Sequence, residues 1–389
     1  MQKLRSGDLY HESFAKCGKF RRPPAAFSRF VVEWRAMRPI RAVIDCAALR
    51  HNLGVVKRRA PRSRVWAVVK ANAYGHGLSR AARALAAADG LALIEIEAAI
   101  DLRRRGETRP ILLLQGVYSP AELESVAGHG FTLVVHHEEQ VRMLETARVP
   151  SKIPVYLKLN TGMNRLGFSG AGLGEVLARL RRCAGEATLM THFADADGER
   201  GVRWQLERFE AATAGMNVPR SLANSAALLR YPVTHADWVR PGIALYGCSP
   251  FPDESADTLG FKPVMTLSSE LIAVRALRAG DSVGYGCTFT ADAPMRVGIV
   301  ACGYADGYPR HAPTGTPILV AGKRTRTVGR VAMDMLFPDL TAIPEAAVGS
   351  PVTLWGEGLS ADEVAASAGT VSYELLCALS PRVPAVESD

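Results

Sequence analysis

A chain of 389 residues, 48% of them hydrophobic, can bury a large core, and its length suits two domains or one large barrel with an addition. The net charge is +9, but residues 1–36 hold eight Lys/Arg against three Asp/Glu, so the rest is nearer balance; a nucleic-acid binder would concentrate its basic residues on the folded part. No apolar run reaches the roughly 20 residues of a membrane helix, and seven scattered cysteines without a CxxC pair fit neither a zinc site nor a disulfide framework, so no metal is expected and a reduced, cytoplasmic compartment is.

Residues 1–36 show no sustained period, contain Arg21-Arg22-Pro23-Pro24 and lack the apolar core of a secretory signal. They read as a disordered extension or as upstream translation, with Met37 as the true start, because an ordered pattern begins there at once. The segment 39–45 is a strand that can pack on the C-terminal domain. Asp45 then suits a helix N-cap, and Leu49, Leu53 and Val56 fall on one helical face.

Eight short apolar runs follow: Val65–Val69, Leu91–Ile94, Ile111–Leu114, Thr132–Val135, Pro154–Leu159, Thr188–Met190, Ser221–Ala223 and Asp237–Val239. Amphipathic stretches such as "EIEAAIDLRRRG" (95–106) and "EEQVRMLETARV" (138–149) separate most of them. Runs buried on both faces and separated by helices read as parallel strands, and eight in a row predict a (β/α)8 TIM-like barrel over 37–262. The last two runs are weak in strand propensity and are counted because of the loops behind them. From 263 to 389 the texture is β-rich and punctuated by Gly, Pro and Asp, with helical periods nearly absent until 361–379. This predicts a second, mostly β domain.

The strand ends carry the chemistry. Lys70 ends the first run. Lys158 lies inside the fifth, and Arg165 follows in "LNTGMNRLG". Thr191-His192 ends the sixth, Asn224-Ser225 the seventh, and Arg240-Pro241-Gly242-Ile243 the eighth. In a barrel these ends converge on the rim where active sites lie. "ANSAA" and "RPGIALYG" offer a hydroxyl and backbone N–H groups where barrels commonly hold a phosphate. A lysine in an apolar site has a depressed pKa and is nucleophilic toward an aldehyde. Phosphate plus such a lysine points to pyridoxal phosphate. Taken singly, each residue has a plainer reading: a solvated lysine, a satisfied core histidine at 192, ion-paired arginines, a helix cap at Ser225.

The ordered motifs "AVVKANAYGHG", "LKLNTGMNRLGF", "THFADAD", "ANSAA", "VRPGIALYG", "VGYG", "GYADGYPR", "GRVAMDM" and "SYELLCALSPRVP" resemble those of bacterial alanine racemase over about 37–389. The resemblance implies a pyridoxal-phosphate enzyme that interconverts L- and D-alanine, supplying D-alanine for peptidoglycan or degrading it, and works as a homodimer with shared sites. Lys70 would bind the cofactor covalently and serve as one base; Tyr285, from the partner subunit, would be the other. Tyr74, Ser225, Gly242, Ile243 and Tyr373 would hold the phosphate, with Asn224 beside them. Arg240 would face the pyridine nitrogen, Arg165 the phenolic oxygen and the substrate, and His192 would pack by the ring and link Tyr285 to Arg240. Met333 would bind the substrate carboxylate across the dimer, and Lys158 matches a lysine that is often carbamylated.

Two bases on opposite faces suit racemisation, which removes a Cα proton from one face and returns it to the other. Free lysine and tyrosine both hold their protons at pH 7, so the site must lower or couple them. Three rivals stay open: a barrel decarboxylase, which would place a carboxylate where Arg240 stands; a racemase of broader range or serine preference; and a non-enzymatic pyridoxal-phosphate homeostasis protein, which would lack the β domain. Ala332 stands where relatives often have cysteine, Asn160 where they carry Asn or Asp, and Asp334 lies near the expected substrate entrance or plays a structural part. His76 has no independent case as a catalytic residue.

Overall fold

The computed structural model describes residues 38–389, so the expectations for residues 1–36 and for a start at Met37 lie outside the described residues. Strand β1 (Arg41–Asp45) comes first and stays out of the barrel. It ends at Asp45, whose carboxylate accepts from Ala48 N–H at 2.8 Å and caps the helix Cys46–Arg59. Such a cap stabilises a helix by about 1 kcal/mol. Leu49, Leu53 and Val56 lie on the buried face of this helix.

Eight parallel strands then close a barrel: β2 (Arg64–Val68), β3 (Gly90–Leu93), β4 (Ile111–Leu113), β5 (Phe131–Val135), β6 (Val155–Lys158), β7 (Ala187–Met190), β8 (Arg220–Ser221) and β9 (Trp238–Val239). Most of their residues are buried, as strands covered on both faces require. β9 closes on β2 through the pairs Arg64↔Trp238 and Val65↔Val239. The two runs weakest in propensity are therefore true barrel strands, only two residues long each. Ring closure and packing hold them: the Trp66 and Trp238 rings stack with centroids 4.4 Å apart, and Trp66 Nε1–H donates to the Tyr156 hydroxyl at 2.8 Å.

The C-terminal domain is mostly β, as expected. Its spine is the 13-residue β10 (Met265–Leu277). A register shift between Leu271 and Ala273 bends this strand. The first part pairs with β1, and the later part pairs with a strand over Met295–Val300. β1 also runs parallel to the last strand, Ala385–Ser388. The segment 41–45 thus belongs to the C-terminal sheet, although the chain enters the barrel directly after it. The short helix Ser372–Cys377 returns from this domain to the barrel mouth. No described helix is long and apolar enough to cross a membrane.

Candidate active site

A cavity of about 680 Å³ opens at the C-terminal ends of the barrel strands. Lys70, Tyr74, Lys158, Arg165, His192, Asn224, Ser225, Arg240, Gly242, Ile243 and Tyr373 all line it. Eleven residues spread over three hundred positions of sequence therefore share one wall. Its volume falls in the range of small-molecule and cofactor sites.

The turn after β2 shapes the floor. Ala71, Asn72, Ala73 and Tyr74 all have φ between 52° and 56°, so Lys70 leads into a turn of left-handed helix. A left-handed helical residue with a Cβ costs roughly 1–2 kcal/mol, and such strain persists only where the surroundings impose it. Here Ala73 N–H donates to Val69 O, Gly75 N–H to Ala71 O and Gly77 N–H to Asn72 O, each at 3.0 Å. The Asn72 carboxamide oxygen accepts from Leu78 N–H at 2.8 Å, where the next helix begins. Gly75 (φ 80°) packs so closely on the helix Ser372–Cys377 that a Cβ would lie 2.1 Å from Leu376 O. Only glycine fits there.

One end of the cavity is built for an anion. Ser225 begins the helix Ser225–Arg230, which Asn224 caps through Ala227 N–H at 3.0 Å. The Ser225 hydroxyl oxygen accepts from Gly242 N–H at 2.9 Å, which draws the loop after β9 against that helix. A Cβ on Gly242 would sit 2.5 Å from the Tyr74 hydroxyl, so the absence of a side chain leaves room for that phenol. Burial pushes the Tyr74 and Tyr373 phenols well above their ordinary range, so both remain donors. Hydroxyls, phenols and backbone N–H groups at one end suit a phosphate.

The other end is held by Arg240, which is buried. Its guanidinium donates to Ser221 Oγ and Thr191 O, both at 2.6 Å, and to Leu222 O at 3.1 Å. Burial pulls it down to about 10, which still leaves it charged at neutral pH. These bonds go to strand ends and not to His192, so the expected Arg240–His192 link is a proximity of charge rather than a hydrogen bond. His192 falls well below its ordinary pKa through burial and the positive charge of Arg240, Lys158, Arg165 and Lys70. It is neutral. Lys158, at the end of β6, is lowered to about 8 by burial and then by Arg240, Arg165 and Lys70. Burial, with the charge of Arg165, lowers Lys70 as well. Phe168 N–H donates to Lys158 O at 2.9 Å and Asn160 N–H to Phe168 O at 2.8 Å; this folds back the loop that carries Arg165.

The residues fit pyridoxal phosphate. A lysine with a lowered pKa, a neutral-donor cradle beside Gly242 that a Cβ would fill, and a fixed cation at the far end are what an anionic aromatic aldehyde requires. Two expected residues stand elsewhere. Tyr285 is 70% exposed on a short turn of the C-terminal domain, and Met333 is 52% exposed; neither lines the cavity. Sequence reasoning missed Gln115, Asp197 and Cys377 in the wall. Gln115 follows Leu114 at the end of the third apolar run, so the rule that found Lys70 also finds it. Asp197 lay within a quoted motif, "THFADAD". Cys377 lay within "SYELLCALSPRVP", one helical turn after Tyr373 on the same helix, so the spacing that brings Tyr373 to the cavity brings Cys377 as well.

Two family descriptions match in order: "Alanine racemase, N-terminal domain" over residues 44–250 and "Alanine racemase, C-terminal domain" over 264–387. The alanine racemase of Nitrosomonas eutropha is 57% identical over 356 residues, covering 90% of this chain and 99% of that protein. That of Nitrosomonas europaea is 58% identical over 359 residues, with the same coverage. Among solved structures, the biosynthetic alanine racemase from Pseudomonas aeruginosa superposes with a TM-score of 0.89 at 47% identity, covering 91% of this chain and 100% of that one. The E. faecalis alanine racemase gives 0.81 at 33%, covering 92% and 100%. Matching in both domains, over almost the whole of its relatives and in the fold that carries the cavity, the chain belongs to the alanine racemase family.

Proposed function

We propose that the chain racemises alanine by a two-base mechanism in which Lys70 acts on one face of the substrate and Tyr285 of the partner subunit on the other, and that it serves the D-alanine supply of peptidoglycan. The observation that carries this reading is the split of the site: the cavity holds a lysine of lowered pKa and the residues expected to hold the cofactor, while Tyr285 and Met333 stand exposed on the second domain. Exposed tyrosine and methionine are residue types enriched where protein surfaces meet. Tyr304 and Met335 are exposed as well, and Tyr304 N–H donates to Ala332 O at 3.0 Å, beside Met333.

Bound pyridoxal phosphate supplies the electron sink that makes the Cα proton acidic. The chain does the rest. Ser225, Gly242, Ile243, Tyr74 and Tyr373 fix the phosphate end, and Asn224 holds the helix that presents Ser225. Arg240 presents only donors, so it orients the ring end without sharing a proton there. Lys70 takes or returns a proton at Nζ, helped by burial and by Arg165, which favour the neutral amine. Tyr285 takes or returns it at its phenol oxygen from the opposite side. Arg165 and Met333 orient the substrate carboxylate.

Lys158 is one of four cations converging here, and about half of it is neutral near pH 8. A neutral amine attacks carbon dioxide, forms an N–C bond and loses a proton, leaving a carbamate anion. We propose that Lys158 takes this form and so relieves the repulsion among Lys70, Arg165 and Arg240. A ¹³C signal appearing on the wild type in labelled bicarbonate, and missing from Lys158→Gln, is the expected result.

The function is tested on the purified chain by following optical rotation from L-alanine and from D-alanine. Both should converge on the racemate. Bound cofactor without racemisation would refute the reading. Lys70→Ala should abolish activity, and Tyr285→Phe should slow exchange of the Cα hydrogen from one enantiomer more than from the other. Equal losses would contradict two bases.

A further inference from the structure

His76 is fully buried behind the left-handed turn and takes no part in the chemistry described so far. Its Nδ1 lies 2.9 Å from Ala73 O and 2.8 Å from Tyr74 O. Both partners are carbonyl oxygens, which only accept, so Nδ1 carries the proton and donates to both. Nε2 is buried without a hydrogen-bond partner. The ring stacks on Tyr246 at 4.6 Å, and Tyr246 stacks on Tyr74 at 4.7 Å and donates its hydroxyl to Val68 O at 2.9 Å. Arg80 donates to His76 O at 2.8 Å, which fixes the residue from behind.

These contacts surround one strained feature. A left-handed turn turns its carbonyls away from the partners that a right-handed helix would give them, and buried carbonyls need donors. The imidazole N–H reaches the last two of the turn; Ala73 O also accepts from His76 N–H at 3.0 Å, so Tyr74 O is the carbonyl that depends on the ring. That turn begins at Lys70 and ends at Tyr74, a residue of the floor and a residue of the anion end. A histidine held only by ring stacking owes the turn no hydrogen bond. This one uses the nitrogen that faces the turn.

We infer that His76 is a positioning residue for the reaction: it clamps the left-handed turn through Nδ1–H and so sets Lys70 and Tyr74 at their places in the cavity. The inference rests on the reading that these two residues hold the cofactor. Relaxation of the turn moves both, so the clamp is felt first in cofactor retention and then in turnover, with less effect on substrate affinity.

The test compares His76→Phe, which keeps a ring in the stack but cannot donate, with His76→Asn, whose amide N–H stands near the position of Nδ1 but fills less space. In the holoenzyme, cofactor loss on dialysis is read from its visible absorbance, alongside melting temperature, kcat and KM. His76→Phe should release cofactor about tenfold faster, as expected for one buried carbonyl, Tyr74 O, left unpaired, with kcat reduced more than KM is changed. His76→Asn should recover most of the retention although its melting temperature is the lower of the two. Retention that follows melting temperature, or His76→Asn no better than His76→Phe, would overturn the clamp. If His76→Phe does not fold, His76→Leu against His76→Asn makes the same comparison. A wild type that binds no pyridoxal phosphate would instead sink the functional reading, so the two failures are told apart.

Discussion

Arg240 owes its direction to three oxygens, Ser221 Oγ, Thr191 O and Leu222 O, contributed by the ends of strands β7 and β8. In the proposed site, a fixed donor such as Arg240 facing the pyridine nitrogen would disfavour its protonation. Arg240→Glu offers a proton instead. The expected outcome is more transamination per racemisation, measured as pyruvate released per alanine racemised, a ratio that does not depend on how active the variant remains. An unchanged ratio would count against this role. Gly242 is a second residue whose identity the geometry explains. A Cβ 2.5 Å from the Tyr74 hydroxyl displaces either the phenol or the loop after β9. Gly242→Ala should cost about 1–3 kcal/mol, the usual penalty of overpacking, and should weaken cofactor binding more than Gly260→Ala, where nothing lies within 4 Å of the added carbon. Gly260 is at φ +85°, so Gly260→Ala includes a positive-φ cost that Gly242, at φ −117°, does not share.

Among the elements, the buried Asp306 ties three parts of the chain together. Its carboxylate accepts from Arg38 just before β1, from Arg382 just before the last strand, and from Gly303 N–H in its own turn. Burial pushes its pKa up, but the two guanidiniums and the N–H outweigh that and hold it below the usual carboxylate value. The folded pKa is depressed, so the stabilisation is present above the unfolded value near 4 and is lost as pH falls through the folded one. Asp306→Asn should therefore lose about 2 kcal/mol at neutral pH, less than for a fully buried pair because both arginines reach water. Chemical denaturation of the two proteins should converge as pH drops below about 4. The element scale also shows where sequence patterns stop working. Val65–Val69 and Leu91–Ile94 announce themselves by apolar residues alone. β8, Arg220–Ser221, does not, since a two-residue strand has no periodicity and is held by closure of the ring.

For the whole molecule, the proposed site needs two copies of the chain, and this has a stoichiometric consequence. Lys70→Ala and Tyr285→Ala are each expected to be inactive alone. In a mixed dimer of the two, one site has lost both bases and the other has kept both. Random exchange makes half of the dimers mixed, so activity should return to about one quarter of wild type under a two-fold symmetric arrangement. No recovery after verified subunit exchange would place Tyr285 in the same copy as Lys70.

Local pattern alone places the barrel, the β-rich second domain and the rim residues, because six apolar runs have strand character of their own and the loops behind the last two complete the count of eight. It also carried Lys70, Ser225 and Arg240 to that rim by chain order alone. Contacts across the fold settle the rest: β1 pairs with the C-terminal sheet, Arg240 bonds to strand ends rather than to His192, and four consecutive residues after Lys70 wind left-handed. Each of these depends on partners distant in sequence: a strand edge offered by β10, the packing of Gly75 on Leu376 O, and oxygens presented by neighbouring strands. In Ala-Asn-Ala-Tyr only Asn72 takes the left-handed region readily by itself; the surrounding contacts impose it on the other three.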